Sequence, residues 1–180
     1  MNDKVMAFET YVEPVRQRMV RSIWRLVRDA DDVEDVLQEA LERILKVLHK
    51  LWKHPNPTAL ILRISINAAY DHLRRKKQWV VLEEQKQVSF QQISILPNPA
   101  EDLEQQERLR RVLKALSHLP RREMEALTLL AVEELTYAEV AAAMGCRENS
   151  VRSMIAKARK RLARWEAQAE TLNGLEVQES

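Results

Sequence analysis

Apolar residues recur in steps of three and four along most of this chain. Over residues 5–28 they fall at Val5, Phe8, Val12, Val15, Met19, Ile23 and Leu26, which predicts one amphipathic helix. Asp29 to Asp32 interrupt the stripe and supply carboxylates able to cap a second helix. From Val33 the spacing tightens through Val36, Leu37, Ala40, Leu41, Ile44, Leu45, Leu48, Leu51 and Trp52, predicting a long helix with one wide buried face. The segment His54 to Pro57 ends it, because proline lacks the amide proton and restricts its predecessor. A third helix is expected over Thr58–Lys77. Leu60, Ile61, Leu62, Ile64, Ile66, Ala68, Ala69 and Leu73 surround much of its circumference, so it should sit centrally.

Residues 78–102 lose the helical period and end at Pro97 to Pro99. This stretch reads as a linker, yet it carries Trp79, Val80, Val81, Leu82, Val88, Phe90, Ile93, Ile95 and Leu96, which prefer to dock on something. A second helical domain is expected over 103–165. Leu109, Val112, Leu113 and Leu116 mark its first helix, Met124, Leu127, Leu130 and Ala131 its second. Thr136 caps a short helix that Gly145 terminates, and a last helix runs from near Arg147 to Arg164. Residues 166–180 read as a short acidic tail. The expected fold is therefore all-α: two small helical domains, 1–77 and 103–165, joined by a linker, the second a four-helix domain with a helix-turn-helix.

Composition narrows the function classes. With 2 glycines in 180 residues the chain can hardly build a phosphate-cradling loop, and none is visible. The four histidines His49, His54, His72 and His118 form no zinc-type spacing, so neither a metal nor another cofactor is expected. The single cysteine, Cys146, excludes an intrachain disulfide and fits a reducing cytosol, where it reads as a small apolar filler. No apolar run suits a signal peptide or a membrane span, which places the chain in the cytoplasm. A formal net charge of +2 does not announce a polyanionic partner, but the distribution of charge is uneven.

Three constellations stand out. Thr136 to Ile155 has the dimensions of a helix-turn-helix, with Val140, Met144, Val151 and Ile155 closing its core and Ala141 small at the close approach. The outer face of its second helix carries Arg147, Asn149, Ser150, Arg152, Ser153, Lys157, Arg159 and Lys160, residue types that reach base edges and phosphates in a major groove. The second helix of the chain opens with carboxylates only. Those in its first turn are ordinary helix chemistry, but Asp35, Gln38, Glu39 and Glu42 fall on one outer face that suits a basic protein helix. The third helix carries Arg63, Asn67, Asp71, Arg74, Arg75, Lys76 and Lys77, an amide beside a basic track that suits an unstacked base and its backbone, or simply a solvated basic helix end.

In order and spacing these features resemble the extracytoplasmic-function (ECF, group IV) sigma factors of the sigma-70 family, over roughly Phe8 to Leu162. Asp32 to Glu39 resembles the family's acidic DxEDxxQE stretch. Leu60 to Asn67 followed by Asp71 to Arg75 resembles WLYRIARNxxxDxLRR. Leu119 to Glu123 resembles the LPxxxR segment, Leu135 to Ala141 resembles LSYEEIA, and Ser150 to Leu162 resembles TVKSRLxRARKRL. The chain departs from the pattern at Leu60 (usually tryptophan), Ile66 (commonly basic), Met154 (arginine) and Glu134 (glycine).

The resemblance implies a non-enzymatic factor that directs core RNA polymerase, through its β′ and β subunits, to promoter DNA. It implies that Asp32, Asp35, Gln38, Glu39 and Glu42 meet the β′ clamp helices. Arg63, Asn67, Asp71, Arg74, Arg75 and Lys76 would face the −10 element, with Asn67 capturing a base. The last helix would read the −35 element, and an anti-sigma factor is the expected inhibitor. The residues taken without the resemblance also admit a helix-turn-helix repressor or activator, or a helical adaptor; the acidic stretch and the Asn67 region speak against the first and the basic recognition helix against the second.

Overall fold

The computed structural model describes residues 2–84 and 111–176, all of whose regular structure is helical. Helix α1 spans Asn2–Tyr11 and α2 spans Arg16–Val27, with a 3-10 turn at Glu13–Val15 between them. The single helix expected over 5–28 is thus broken. Pro14 lies in the first positions of the 3-10 turn, where a missing amide proton costs nothing, and the chain restarts there rather than running through.

Helix α3, Ala30–Leu51, begins as expected: Asp29 adopts an extended conformation and its Oδ1 accepts the Asp32 amide at 3.0 Å. Asn56 caps α4 in the same way through the Ala59 amide at 2.9 Å, and Pro57 opens the helix. Helix α4, Pro57–Glu84, continues past the Lys77 end expected from the sequence. The remaining apolar residues of the predicted linker lie outside the described residues.

In the second half, residues 111–117 form α5. Helices α6 (Arg121–Ala131), α7 (Tyr137–Met144) and α8 (Glu148–Glu176) come next, and α8 extends through much of the expected tail. The ends of α7 fit their residues closely. Thr136 and Glu139 form a reciprocal capping box, and Gly145 takes a left-handed conformation (φ 62°). The Cys146 amide reaches Ala141 O at 3.0 Å and the Gly145 amide reaches Ala142 O at 3.2 Å, a Schellman closure.

One continuous core runs from Val12 in α2's approach to Ala158 in α8. Helix α4 packs against α2 and α3 on one side and against α6 and α7 on the other. That double packing explains its apolar circumference: Ile61, Leu62 and Ile66 are all buried, and burying each such side chain is worth roughly 1.5–3 kcal/mol. The wide face expected on α3 is narrower than its pattern suggested. Leu45 and Trp52 are 51% and 63% exposed, and Val5 of α1 is likewise exposed. They extend the apolar stripe beyond the width that neighbouring helices cover.

Glu134, which stands where the sigma pattern has glycine, also has a left-handed backbone (φ 55°), in the turn between α6 and α7. Left-handed geometry costs a side-chain-bearing residue about 1–2 kcal/mol. Glu134→Gly should therefore stabilise the protein by up to about 1 kcal/mol, the strain relieved less the extra entropy of unfolded glycine. Gly145→Ala should do the reverse by about 1 kcal/mol. There is open space around Gly145, so conformation alone sets that change. Denaturant unfolding of both variants measures it; equal stabilities would show that neither turn is conformationally strained.

Candidate nucleic-acid interface

The helix-turn-helix forms as its residues dictate. Val140, Met144, Val151 and Ile155 are buried between α7 and α8, with Ala141 at their approach and Cys146 packed beside them. The opposite face of α8 is open: Arg147, Asn149, Ser150, Arg152, Ser153, Lys157, Arg159 and Lys160 are all exposed. Arg152 is not idle there. Its Nη2 meets Glu148 Oε1 at 2.5 Å and its guanidinium lies over the Tyr137 ring at 4.5 Å from the centroid, which holds it extended along the helix surface.

The two other constellations meet each other. Asp35, Gln38 and Glu42 form an exposed row on α3, but Asp32 and Glu39 turn toward α4. Lys76 Nζ lies 2.5 Å from Asp32 Oδ2, and His72 Nε2 lies 3.2 Å from Asp32 Oδ1, within ion-pair reach but not aligned as a hydrogen bond. Arg75 Nη2 donates to Glu39 Oε2 at 2.7 Å, and Arg43 bridges Glu39 (2.6 Å) and Asp71 (2.8 Å). From Asp71 the charges continue into the second domain. Arg121 lies 3.4 Å from Asp71 and 3.1 Å from Glu125, and Arg63 Nε donates to Glu125 Oε2 at 3.1 Å.

Arg75, Glu39, Arg43, Asp71, Arg121, Glu125 and Arg63 thus alternate in sign across both domains. Arginine's fork suits such bridging, since one guanidinium can serve two carboxylates. Sequence reasoning missed Arg43, Arg121 and Glu125. Arg43 stands four residues after Glu39, a spacing that could have revealed the first link.

Asn67 stands between the two helix sets, half-buried, and its amide Oδ1 is buried without a hydrogen-bond partner. The intradomain hydrogen bond that a purely structural asparagine would make at this oxygen is not formed. An unsatisfied buried acceptor is uncommon in a folded protein. Arg74 is exposed. Tyr70, one helical turn beyond Asn67, is buried and shares a 3.0 Å hydrogen bond with Thr128 of α6. Burial pushes its phenol up to about 12, the Thr128 bond offsetting only part of the effect.

Among the described residues, no group of three His, Cys, Asp or Glu is placed to hold a metal ion, and no helix is long and apolar enough to cross a membrane.

Burial alone would raise the Asp32 carboxyl, but Lys76 and His72 outweigh it and hold it below its ordinary 3.8. Arg75, with Arg43, holds Glu39 below 4.5. Both carboxyls bind protons less readily folded than unfolded. Their contribution to stability is therefore complete above the ordinary carboxylate values and lost as pH falls through the lower folded ones. Unfolding free energy should stay level in this respect down to about pH 5 and decline below about pH 4. Asp32→Asn with Glu39→Gln should flatten that decline; an unchanged acid limb would take these pairs out of the stability balance.

Comparison with known proteins agrees with this architecture. Residues 6–79 match the family model for sigma-70 region 2, and residues 109–162 match that for sigma-70 region 4. The chain is 32% identical over 165 residues to the RNA polymerase sigma-H factor of Pseudomonas aeruginosa, covering 86% of this chain and 83% of that protein. It is 28% identical to the ECF RNA polymerase sigma factor SigM of Bacillus subtilis, covering 84% of this chain and 92% of that protein. Its fold is similar to that of the Bartonella quintana sigma factor RpoE, solved with the anti-sigma factor NepR (TM-score 0.53, 24% identity, 86% of this chain and 93% of that one). It is also similar to CnrH, solved with the cytosolic domain of CnrY (TM-score 0.56, 19% identity, 93% of this chain and 99% of that one). With both sigma regions matched in order around a shared helical core, the chain belongs to the sigma-70 family as an ECF RNA polymerase sigma factor, directing core polymerase to promoters.

Proposed function

We propose that this factor, of the group IV class, works in the cytoplasm by binding alone, with its contacts divided between two domains. Residues 1–77 would carry the core-polymerase and −10 surfaces, 78–102 the linker, and 103–165 the −35 surface. The observation that carries this reading is the open basic face of α8 beside a fully packed helix-turn-helix core. Arg152 and Ser153 lie at the centre of that face and reach bases; Lys157 beside them, with Arg147, Asn149, Ser150, Arg159 and Lys160 around them, meets phosphates. On the first domain Asp35, Gln38 and Glu42 remain available to the β′ clamp helices, whereas Asp32 and Glu39 act by fixing α3 against α4. Asn67 takes the unstacked −10 base, its unsatisfied oxygen accepting from the base edge; the exposed Arg74 follows the strand, as do Arg63, Arg75 and Lys76 once released from their partners. Asp71 orients Arg43 rather than meeting phosphate.

Two structural relatives were solved with protein partners, one with the anti-sigma factor NepR and one with the cytosolic domain of CnrY. A comparable anti-sigma partner is proposed for this chain, and purification from non-inducing cells should retain it.

Run-off transcription with core polymerase tests the whole reading. Arg152→Ala should cost about 1–3 kcal/mol at one base-pair position, while Lys157→Ala weakens all sequences alike and lowers the salt dependence. Unaltered promoter selection by the Arg152 variant would remove that residue from the readout. Reversing Asp35 and Glu42 to lysine should lower affinity for core enzyme with helicity unchanged. Asp35 and Glu42 serve this purpose better than Glu39, whose reversal would also break the ion-pair chain. Asn67→Ala should retain polymerase affinity and melting temperature yet form open complexes poorly, including on pre-melted templates; normal open complexes would leave Asn67 without a role in base capture.

A further inference from the structure

The basic side chains on the open face of α8 are not alike. Arg147, Lys157, Arg159 and Lys160 have no charged partner among the described residues, whereas Arg152 is held from two sides. A mobile charge serves phosphates well, because the backbone it follows carries no sequence information. A side chain that reads a base has the opposite need: its donors must stand at fixed positions.

Two elements supply that hold. Glu148 stands one turn before Arg152, and its Oε1 accepts from Arg152 Nη2 at 2.5 Å. A carboxylate in the first turn of α8 is ordinary helix chemistry, and an exposed pair at this spacing contributes little to stability. The second contact has no such local origin, because it comes from the other helix. The Arg152 guanidinium lies 4.5 Å from the centre of the Tyr137 ring. Tyr137 is the first residue of α7, directly after Thr136, whose capping box with Glu139 fixes the start of that helix. The buried residues Val140, Met144, Val151 and Ile155 lie between α7 and α8. The place of the ring against Arg152 is therefore set by the helix-turn-helix core.

This hold leaves the arginine able to read. A guanidinium has five N–H groups. The Glu148 carboxylate takes one of them, and the Tyr137 ring, lying against the cation, takes none. Enough remain for a bidentate contact to a base edge, guanine O6 and N7 being the acceptor pair that arginine matches. Glu148 also opposes binding, since it puts a negative charge on a surface that approaches phosphates and so weakens every sequence alike. A residue that weakens all sequences while ordering the side chain that discriminates widens the gap between right and wrong sites.

Resting on the −35 reading above, we propose that Tyr137 and Glu148 are positioning residues for Arg152. They set promoter specificity at the base pair that Arg152 meets by fixing its guanidinium before DNA arrives.

The test uses the full chain bound to purified core RNA polymerase. Selection by the wild-type holoenzyme from a duplex pool randomised over the promoter region gives a reference site. Affinity for the four base pairs at each −35 position is then measured for each variant, and Arg152→Ala locates the position concerned. Tyr137→Leu and Glu148→Gln should each lower discrimination there by about fivefold or more and leave the other positions unchanged. Tyr137→Phe, which keeps the ring, should select as wild type does. Glu148→Gln should also bind non-cognate DNA about twofold more tightly, the reverse of a simple lost contact. Adding Tyr137→Leu to Arg152→Ala should cause no further loss at that position, since nothing remains to be positioned. Glu148 lies at the surface, so its variant decides the matter if Tyr137→Leu lowers the melting temperature. Wild-type preference at the Arg152 position in Glu148→Gln and Tyr137→Leu overturns the positioning. So does an equal loss at every position, or a Tyr137→Phe defect as large as that of Tyr137→Leu. If Arg152→Ala itself selects as wild type does, the base readout falls and the positioning with it, while transcription by the holoenzyme leaves the sigma assignment intact.

Discussion

Helix α4 carries apolar side chains around more of its surface than one three-helix domain can cover, and the rest of the structure depends on that excess. Helices α2 and α3 bury one side; the other stays costly until α6 and α7 close over it. At about 25 cal/mol for each Å² of apolar surface removed from water, a helix face left open is a strong drive toward closure. The second domain answers it with two short helices, of which α7 has both ends fixed, by its capping box and its glycine closure. The linker leaves the domains joined, but α4 decides how they sit.

Charge then refines the arrangement that apolar burial sets up. Helices α3 and α4 face each other with opposite signs, so Asp32 and Glu39 use their charge inside the domain while Asp35, Gln38 and Glu42 stay turned to solvent and partners. The same rows therefore serve two ends, one holding the helix pair in register and one presenting an acidic surface. Because the inward pairs are partly buried, salt screens them less than it screens the outward row or the basic face of α8. Raising ionic strength should thus weaken the recognition surfaces well before it loosens the scaffold beneath them.

Much of this is legible in the residues. The caps at Asp29, Thr136 and Gly145, the helix-turn-helix core and the open face of α8 all arise from local chemistry, which a sequence displays directly. The apolar circumference of α4 correctly predicts a central helix, although the reason, a second domain on its far side, lies in residues sixty positions away. The break at Pro14 escapes the pattern because its flanking apolar residues keep helical spacing on both sides. Leu45 and Trp52 fit the core stripe yet stay exposed, because periodicity reports a face and not how much of that face a neighbour covers. The partners of Glu39, Asp71 and Arg63 are illegible for a different reason. Apart from the one-turn pairs Glu39–Arg43 and Arg121–Glu125, these charged side chains pair across tertiary distances, and no spacing along the chain records which arginine then meets which carboxylate.

The shared helix also bears on how the protein is made. A ribosome releases α4 with its outer stripe complete long before the helices that cover it exist. Synthesis of the stretch from Glu84 to Met144 takes roughly 3–12 s at about 5–20 residues per second. Throughout that interval the nascent first domain presents Ile66 and Tyr70 to solvent, a surface suited to chaperones or to a neighbouring nascent chain on the same message. The order of the two domains along the gene therefore sets a window of exposure that a chain with self-sufficient domains would not have.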